Sequence, residues 1–213
     1  MILSTTDIRY HHLMTEPLRV ATHGPAFSGY VLAGGRSTRM GRDKALLPFG
    51  RATLLDHVAQ CVHQSAGNVT VIGPPERYAA FGYPVVADHV ENSGPLGGLF
   101  TALSITPSDW NLIVACDMPG LTAHFLDSLL HAAESSPADC LVPSKTGRAE
   151  LDPLCAVYHR RSLSAAKAAL DRNLLKMQDF VSSLHLSIWP VPNSGLLENV
   201  NTPEEWAATE TNR

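Results

Sequence analysis

The sequence predicts a Rossmann-like, three-layer α/β fold with a mostly parallel central sheet. Three observations carry that expectation. Short, nearly all-apolar runs alternate with segments of helical spacing, a glycine-rich loop follows the first run, and aspartates follow two later runs. Strands covered on both faces read as unbroken apolar runs, because neither face meets water.

Taken in order, Phe27–Ala33 reads as a buried strand, and Thr53–Ser65 as a helix with Leu54, Leu55, Val58, Cys61 and Val62 on one face. Val69–Ile72 is a second strand, stopped by Gly73-Pro74-Pro75, and Tyr83–Ala87 is a third. Pro95–Ile105 follows as a helix, Trp110–Cys116 as an apolar strand and Thr122–Glu134 as a helix. Beyond Cys140–Pro143 the pattern is less regular, with strands expected at Cys155–Tyr158 and Leu186–Val191 and a helix at Ser162–Leu170. Thr202-Pro203-Glu204-Glu205 combines a cap, a proline at the first helical position and an acid at the third, so a short helix opens directly after Asn199-Val200-Asn201.

Length and composition narrow the class. The 213 residues suit one sizeable domain, and 45% apolar with 17% charged residues is an ordinary globular balance. A net charge of −4 argues against nucleic-acid partners, which need clustered basic charge. Cys61, Cys116, Cys140 and Cys155 form no C-x-x-C pair and read as reduced, mostly buried thiols. No apolar run approaches the roughly 20 residues of a membrane span, and no basic region precedes an apolar stretch at the N-terminus, so the expectation is a cytoplasmic protein without a membrane partner. Residues 1–26 lack periodicity and read as a loose leader, with Met14 a second candidate start. The remaining 27–213 read as a single domain, with a ligand-binding half at about 27–135 and a second half at about 136–213.

Four segments carry chemistry. In Leu32-Ala33-Gly34-Gly35-Arg36-Ser37-Thr38-Arg39-Met40-Gly41-Arg42-Asp43-Lys44, glycines after a strand let backbone N–H groups approach an anion, and Arg39 and Lys44 add charge suited to a triphosphate. It is not a P-loop, since Ala rather than Ser or Thr follows Lys44. A lone Gly-Gly would read as a solvated turn; the two cations change that reading. Asp117 ends the strand Trp110–Cys116, on the side where open α/β sheets gather ligands, and a carboxylate there suits Mg²⁺. Asp88 ends the third strand and precedes Gly94-Pro95-Leu96-Gly97-Gly98, whose glycines admit either a flat ligand or a close helix–strand contact. In Asn199-Val200-Asn201, alternation along an extended chain sends both amides to one side, where they can ligate Mg²⁺ or bond phosphate or ribose. Taken alone, Asn201 reads first as a cap or turn before the terminal helix.

Together these segments resemble the MobA-like nucleotidyltransferases, most closely the molybdenum cofactor guanylyltransferase branch. The resemblance runs from about Tyr30 to Trp206; its strongest element is LAGGRSTRMGRDKALLPFGRATLLDHV, with GPLGGL, CDMP and NVNTPEE following in family order. It implies the nucleotidyltransferase fold, GTP and molybdopterin or its molybdenum-loaded form as substrates, Mg²⁺ as cofactor, and molybdoenzyme apoproteins or their chaperones as recipients. It also implies that Leu32, Ala33, Gly34 and Gly35 hold the nucleotide, that Lys44 binds its phosphates with Arg39, and that Asp88 contacts the guanosine. Asp117 would ligate the metal, and Asn199 and Asn201 would face phosphate, acceptor or metal.

Two departures stand out. Guanylyl members carry an asparagine at the end of the second strand, where this chain reads Val71-Ile72-Gly73-Pro74, and the acceptor-side His-Pro or Gln-Pro is here Asp152-Pro153-Leu154. The implied reaction is in-line attack of an acceptor phosphate oxygen on the α-phosphorus. It needs orientation and charge neutralisation rather than a protein nucleophile. Two rival readings remain open: a cytidylyl or sugar-phosphate nucleotidyltransferase of the same fold, and a non-catalytic nucleotide-binding accessory module.

Overall fold

The computed structural model describes residues 26–34, 43–145, 150–191 and 193–211. The chain opens with strand β1 (Phe27–Leu32), then a 3₁₀ turn at Lys44–Leu46 and a small hairpin, β2 (Pro48–Phe49) and β3 (Ala52–Thr53). Helix α1 (Leu54–Ala66) starts where Thr53 accepts the Asp56 N–H at 3.2 Å while Asp56 accepts the Thr53 N–H at 3.0 Å. This reciprocal box satisfies two otherwise orphaned donors. Gly67, left-handed at φ 75°, ends the helix.

Then come β4 (Thr70–Ile72), α2 (Pro75–Tyr78), β5 (Val85–Val86), α3 (Gly94–Ile105), β6 (Trp110–Ala115) and α4 (Ala123–Glu134). The rest comprises β7 (Cys140–Ser144), β8 (Cys155–His159), α5 (Leu163–Asp171), α6 (Met177–Ser182), β9 (Leu186–Pro190) and α7 (Pro203–Thr211).

Seven strands form one sheet in the order β5-β4-β1-β6-β8-β7-β9. All run parallel except β8, which is antiparallel to both its neighbours. Side-chain alternation divides the core. Val31, Leu112, Val114 and Val157 pack on one face with α1, α4 and Trp206 of α7. Tyr30, Ile113, Ala156 and Tyr158 pack on the other with α3, α5 and α6. This is the predicted three-layer arrangement. Leu54, Leu55, Val58 and Val62 of α1 are fully buried, and each such side chain contributes about 2 kcal/mol through removal from water.

The differences from the sequence expectations are local. The third strand shrinks from Tyr83–Ala87 to Val85–Val86 because it lies at the sheet edge and pairs only with β4. The β2–β3 hairpin, α2 and α6 are too short to display a period. Among the described residues no helix is long and apolar enough to cross a membrane.

Strand order reverses beside β1: the chain moves outward through β4 and β5, then returns to the other side of β1 with β6. The carboxyl ends of β1 and β6 diverge into their loops there, and ligands of such sheets collect at that crevice.

Candidate active site

A cleft of about 790 Å³ opens at this reversal point. Its wall includes Leu32, Ala33 and Gly34 from the end of β1, Asp88 from beyond β5 and Asp117 from beyond β6. Lys44 of the 3₁₀ turn and Asn199 and Asn201 of the segment before α7 complete it. The structure thus brings together every described residue that the sequence singled out, although they span the chain. Gly35 and Arg39 lie outside the described residues.

At the cleft the Lys44 ammonium donates to Asn201 Oδ1 at 2.7 Å and to Asp117 Oδ2 at 3.3 Å. Both partners of the ion pair are largely shielded, with side-chain exposures of 16% and 19%. Shielding strengthens the attraction within the pair, because less water screens it, while removing both charges from water offsets part of that gain. Asp117 Oδ1 is buried and receives no hydrogen bond among the described residues.

A buried carboxylate oxygen without a donor is costly unless a cation completes it. Oxygen donors from Asp117 and Asn201 match what a hard divalent ion such as Mg²⁺ prefers, so the residues present fit that ion. Cys116, beside it, is a poor nucleophile: burial and then the Asp117 charge push its thiol far above the ordinary range.

The segment carrying the asparagines is docked rather than loose. Val200 N–H donates to the Asp117 carbonyl at 2.9 Å, and the Val200 side chain is buried between the two asparagines that face the cleft. Asn201 N–H and Thr202 N–H both donate to Glu205, at 2.5 and 3.2 Å, while Thr202 Oγ1 accepts the Glu205 N–H at 3.2 Å. The cap of α7 therefore also fixes Asn201. A Cβ on Gly120 would collide with the Gly195 carbonyl oxygen, so a glycine is what lets this strap close over the loop after β6.

The β1 exit has a similar restriction. Gly34 adopts φ +104°, and a Cβ there would come within 2.7 Å of Pro74 Cδ.

Asp88 is exposed as a residue, but its carboxyl enters the cleft mouth near Gly98, and partial loss of water raises it above the usual carboxylate range. A Cβ on Gly98 would press on Leu32 at 3.0 Å, so this glycine serves a close helix–strand contact at the cleft wall. Of the two departures noted above, the first puts the apolar Ile72 on the cleft wall. At the second, Leu154 reaches the wall while Asp152 turns its Oδ1 to the Leu154 N–H at 3.3 Å. Burial raises the Asp152 carboxyl, and the Asp117 charge adds to the rise.

Sequence reasoning overlooked Asp43, Asn92, Ser93 and Leu154, all of which line the cleft. Asp43 had a readable signal, since a short acid directly before helical residues is a cap. Asn92 and Ser93 lack one because they belong to a loop brought in by α3.

The family model described as "MobA-like NTP transferase domain" matches residues 29–186. A relative from Flavobacterium johnsoniae, named probable molybdenum cofactor guanylyltransferase, is 30% identical, covering 83% of this chain and 92% of its own. One of the same name from Nostoc sp. is 31% identical over 84% and 88% respectively. Among solved structures, molybdopterin-guanine dinucleotide biosynthesis protein A from Archaeoglobus fulgidus aligns with a TM-score of 0.75 and 20% identity. It covers 86% of this chain and 97% of that one.

Proposed function

This chain belongs to the MobA-like NTP transferase family, and from that premise we propose that it transfers GMP from GTP to molybdopterin or its molybdenum-loaded form, releasing pyrophosphate. The observation that carries this reading is the convergence of Lys44, Asp117 and Asn201 on one point of a cleft at the sheet's reversal. A cation and an orphaned carboxylate oxygen there suit a triphosphate with its metal better than they suit covalent chemistry.

The roles follow from position. Backbone groups of Leu32, Ala33 and Gly34 would hold the nucleotide; the same role for Gly35, outside the described residues, rests on the resemblance alone. Lys44, helped by Arg39, holds the phosphates and neutralises charge that grows as pyrophosphate leaves. Asp117 and Asn201 would hold Mg²⁺, which when bound supplies further positive charge to the phosphates. Asn199 faces the acceptor phosphate. The residues of 27–135 serve mainly the nucleotide, and those of 136–213 the acceptor. The reaction then depends on holding an acceptor oxygen in line with the α-phosphorus, a geometric task worth several orders of magnitude in rate. Molybdoenzyme apoproteins or their chaperones would receive the product in the cytoplasm.

Base choice falls to Asp88, since the second strand offers Ile72 instead of an amide. A carboxylate can accept from guanine N1–H and its 2-amino group together, whereas cytosine presents an acceptor beside its donor.

Pyrophosphate release with molybdopterin and Mg²⁺ tests the reading. GTP should exceed CTP at least about tenfold in kcat/KM, the scale of one discriminating contact pair, and Asp88→Ala should narrow that ratio. An equal loss with all nucleotides assigns Asp88 to the ribose instead. A preference for CTP supports the cytidylyl alternative, and no release with any nucleotide supports a non-catalytic module.

A further inference from the structure

We propose that Tyr78 and Asp43 form a positioning relay that sets Lys44, so that the short helix α2 acts on the cleft without entering it. The relay rests on the reading of Lys44 as the phosphate-binding cation.

Tyr78 ends α2 and is fully buried. Its hydroxyl donates to Asp43 Oδ2 at 2.7 Å, across 35 positions of sequence. Asp43 Oδ1 in turn accepts the Ala45 N–H at 3.1 Å and so caps the 3₁₀ turn whose first residue is Lys44. The two carboxylate oxygens have divided tasks: one is tied to the protein body, the other defines the turn. Arg77, at 3.6 Å from Asp43 Oδ2, adds charge from the surface.

The body end of the relay is rigid. Tyr78 packs against Gly73, where a Cβ would lie 3.0 Å from its ring and would collide with the Ala33 carbonyl oxygen of the β1 exit. Ala45 and Leu47 are buried just beyond Lys44, and the Leu47 carbonyl accepts the Leu54 N–H at 2.9 Å. Lys44 is therefore flanked by two anchors, and Asp43 with Tyr78 supplies the one on its N-terminal side. Burial and the hydrogen bond to Asp43 both keep the phenol protonated, as a donor must be.

A partly buried hydrogen bond to a charged group is stronger than a neutral one, and its loss leaves the carboxylate short of a partner. Without it the turn can shift, and a displacement of about 1 Å at a phosphate-binding cation is enough to cost activity heavily. Tyr78 does not line the cleft, whereas Asp43 does, so a cycle with Lys44 separates an effect passed to the lysine from one exerted by Asp43 itself.

The test is a double-mutant cycle of Tyr78→Phe with Lys44→Ala. It is read in two assays: pyrophosphate release, and affinity for inorganic tripolyphosphate with Mg²⁺ by calorimetry. Tyr78→Phe should lower kcat/KM about tenfold and weaken tripolyphosphate binding when Lys44 is present. It should change either by less than about twofold in the Lys44→Ala background. Asp43→Ala, which removes both acceptor oxygens, should lose at least as much, and Tyr78→Phe should add little to it. Equal losses in both backgrounds, or full wild-type behaviour of Tyr78→Phe, would overturn the relay. The tripolyphosphate assay is independent of which nucleotide or acceptor is used, so failure of the guanylyl assignment leaves this result readable.

Discussion

Asp117 has one carboxylate oxygen engaged by Lys44 and the other, Oδ1, buried without a hydrogen bond among the described residues. A group arranged for packing alone would not carry that cost, which is on the order of 1–3 kcal/mol or more for a charged acceptor. Asp117→Ala should therefore reduce transfer to background and abolish Mn²⁺ binding measured by electron paramagnetic resonance, with a melting temperature close to wild type. Wild-type turnover by the folded variant would remove Asp117 from the metal site. That Asp117 and Lys44 line the cleft was legible because their signals are local: a lone aspartate at a strand's end and a lysine after a glycine-rich segment. Tyr78 was not. Its meaning lies in a contact with Asp43, and nothing in the two local sequences marks them as partners.

At the scale of elements, the strap from Gly195 to Asn201 shows how a fold completes a site with its last residues. Its backbone is pinned to Asp117 through Val200, its end is fixed by the α7 cap, and Leu197, Val200 and Trp206 are buried in the core. The capping pattern of Thr202 to Glu205 was readable in advance, as was the alternation that turns both asparagines one way. Where they land was not, since that depends on Gly120 admitting the Gly195 carbonyl. Gly120→Ala should push the strap outward and displace Asn199 and Asn201. The expected outcome is a fall in kcat of about tenfold or more together with a raised Mg²⁺ requirement, seen in a metal titration of initial rates. An unchanged metal requirement would mean that the strap does not hold the ion.

For the whole molecule, acid stability depends on carboxylates perturbed in opposite directions. Arg161, whose guanidinium donates to Asp139 and to the Pro137 and Ala138 carbonyls, holds the Asp139 carboxyl below its ordinary value of 3.8; the His185 N–H assists. Being depressed in the folded state, Asp139 adds stability above its unfolded pKa and loses that contribution as pH falls through the folded value. Asp152 is the reverse. Burial raises it, so it destabilises the fold at neutral pH, and the penalty disappears as pH falls below the raised folded value towards 3.8. Thermal unfolding from neutral to acid pH should show Asp139→Asn less stable than wild type at neutrality, converging with it in acid. Asp152→Asn should be more stable at neutrality and should also converge. A destabilised Asp152→Asn at neutral pH would mean that its charge is held by favourable contacts instead.

By itself the sequence determined the layer architecture, the sense of most strands and the residue types available for chemistry. Those properties follow from hydrophobic period, turn residues and caps, each written within a few positions. Only the tertiary structure decided the strand order, which puts β6 beside β1 and so lets residues 44, 88, 117 and 201 meet. It also decided that the edge strand is two residues long, that Ile72 lies on the cleft wall, and that a buried tyrosine bonds the aspartate capping the Lys44 turn. The physical reason is common to all of these. Long-range placement is selected by the packing of whole faces, and that energy is spread over the many buried side chains of two core clusters rather than encoded in any one segment.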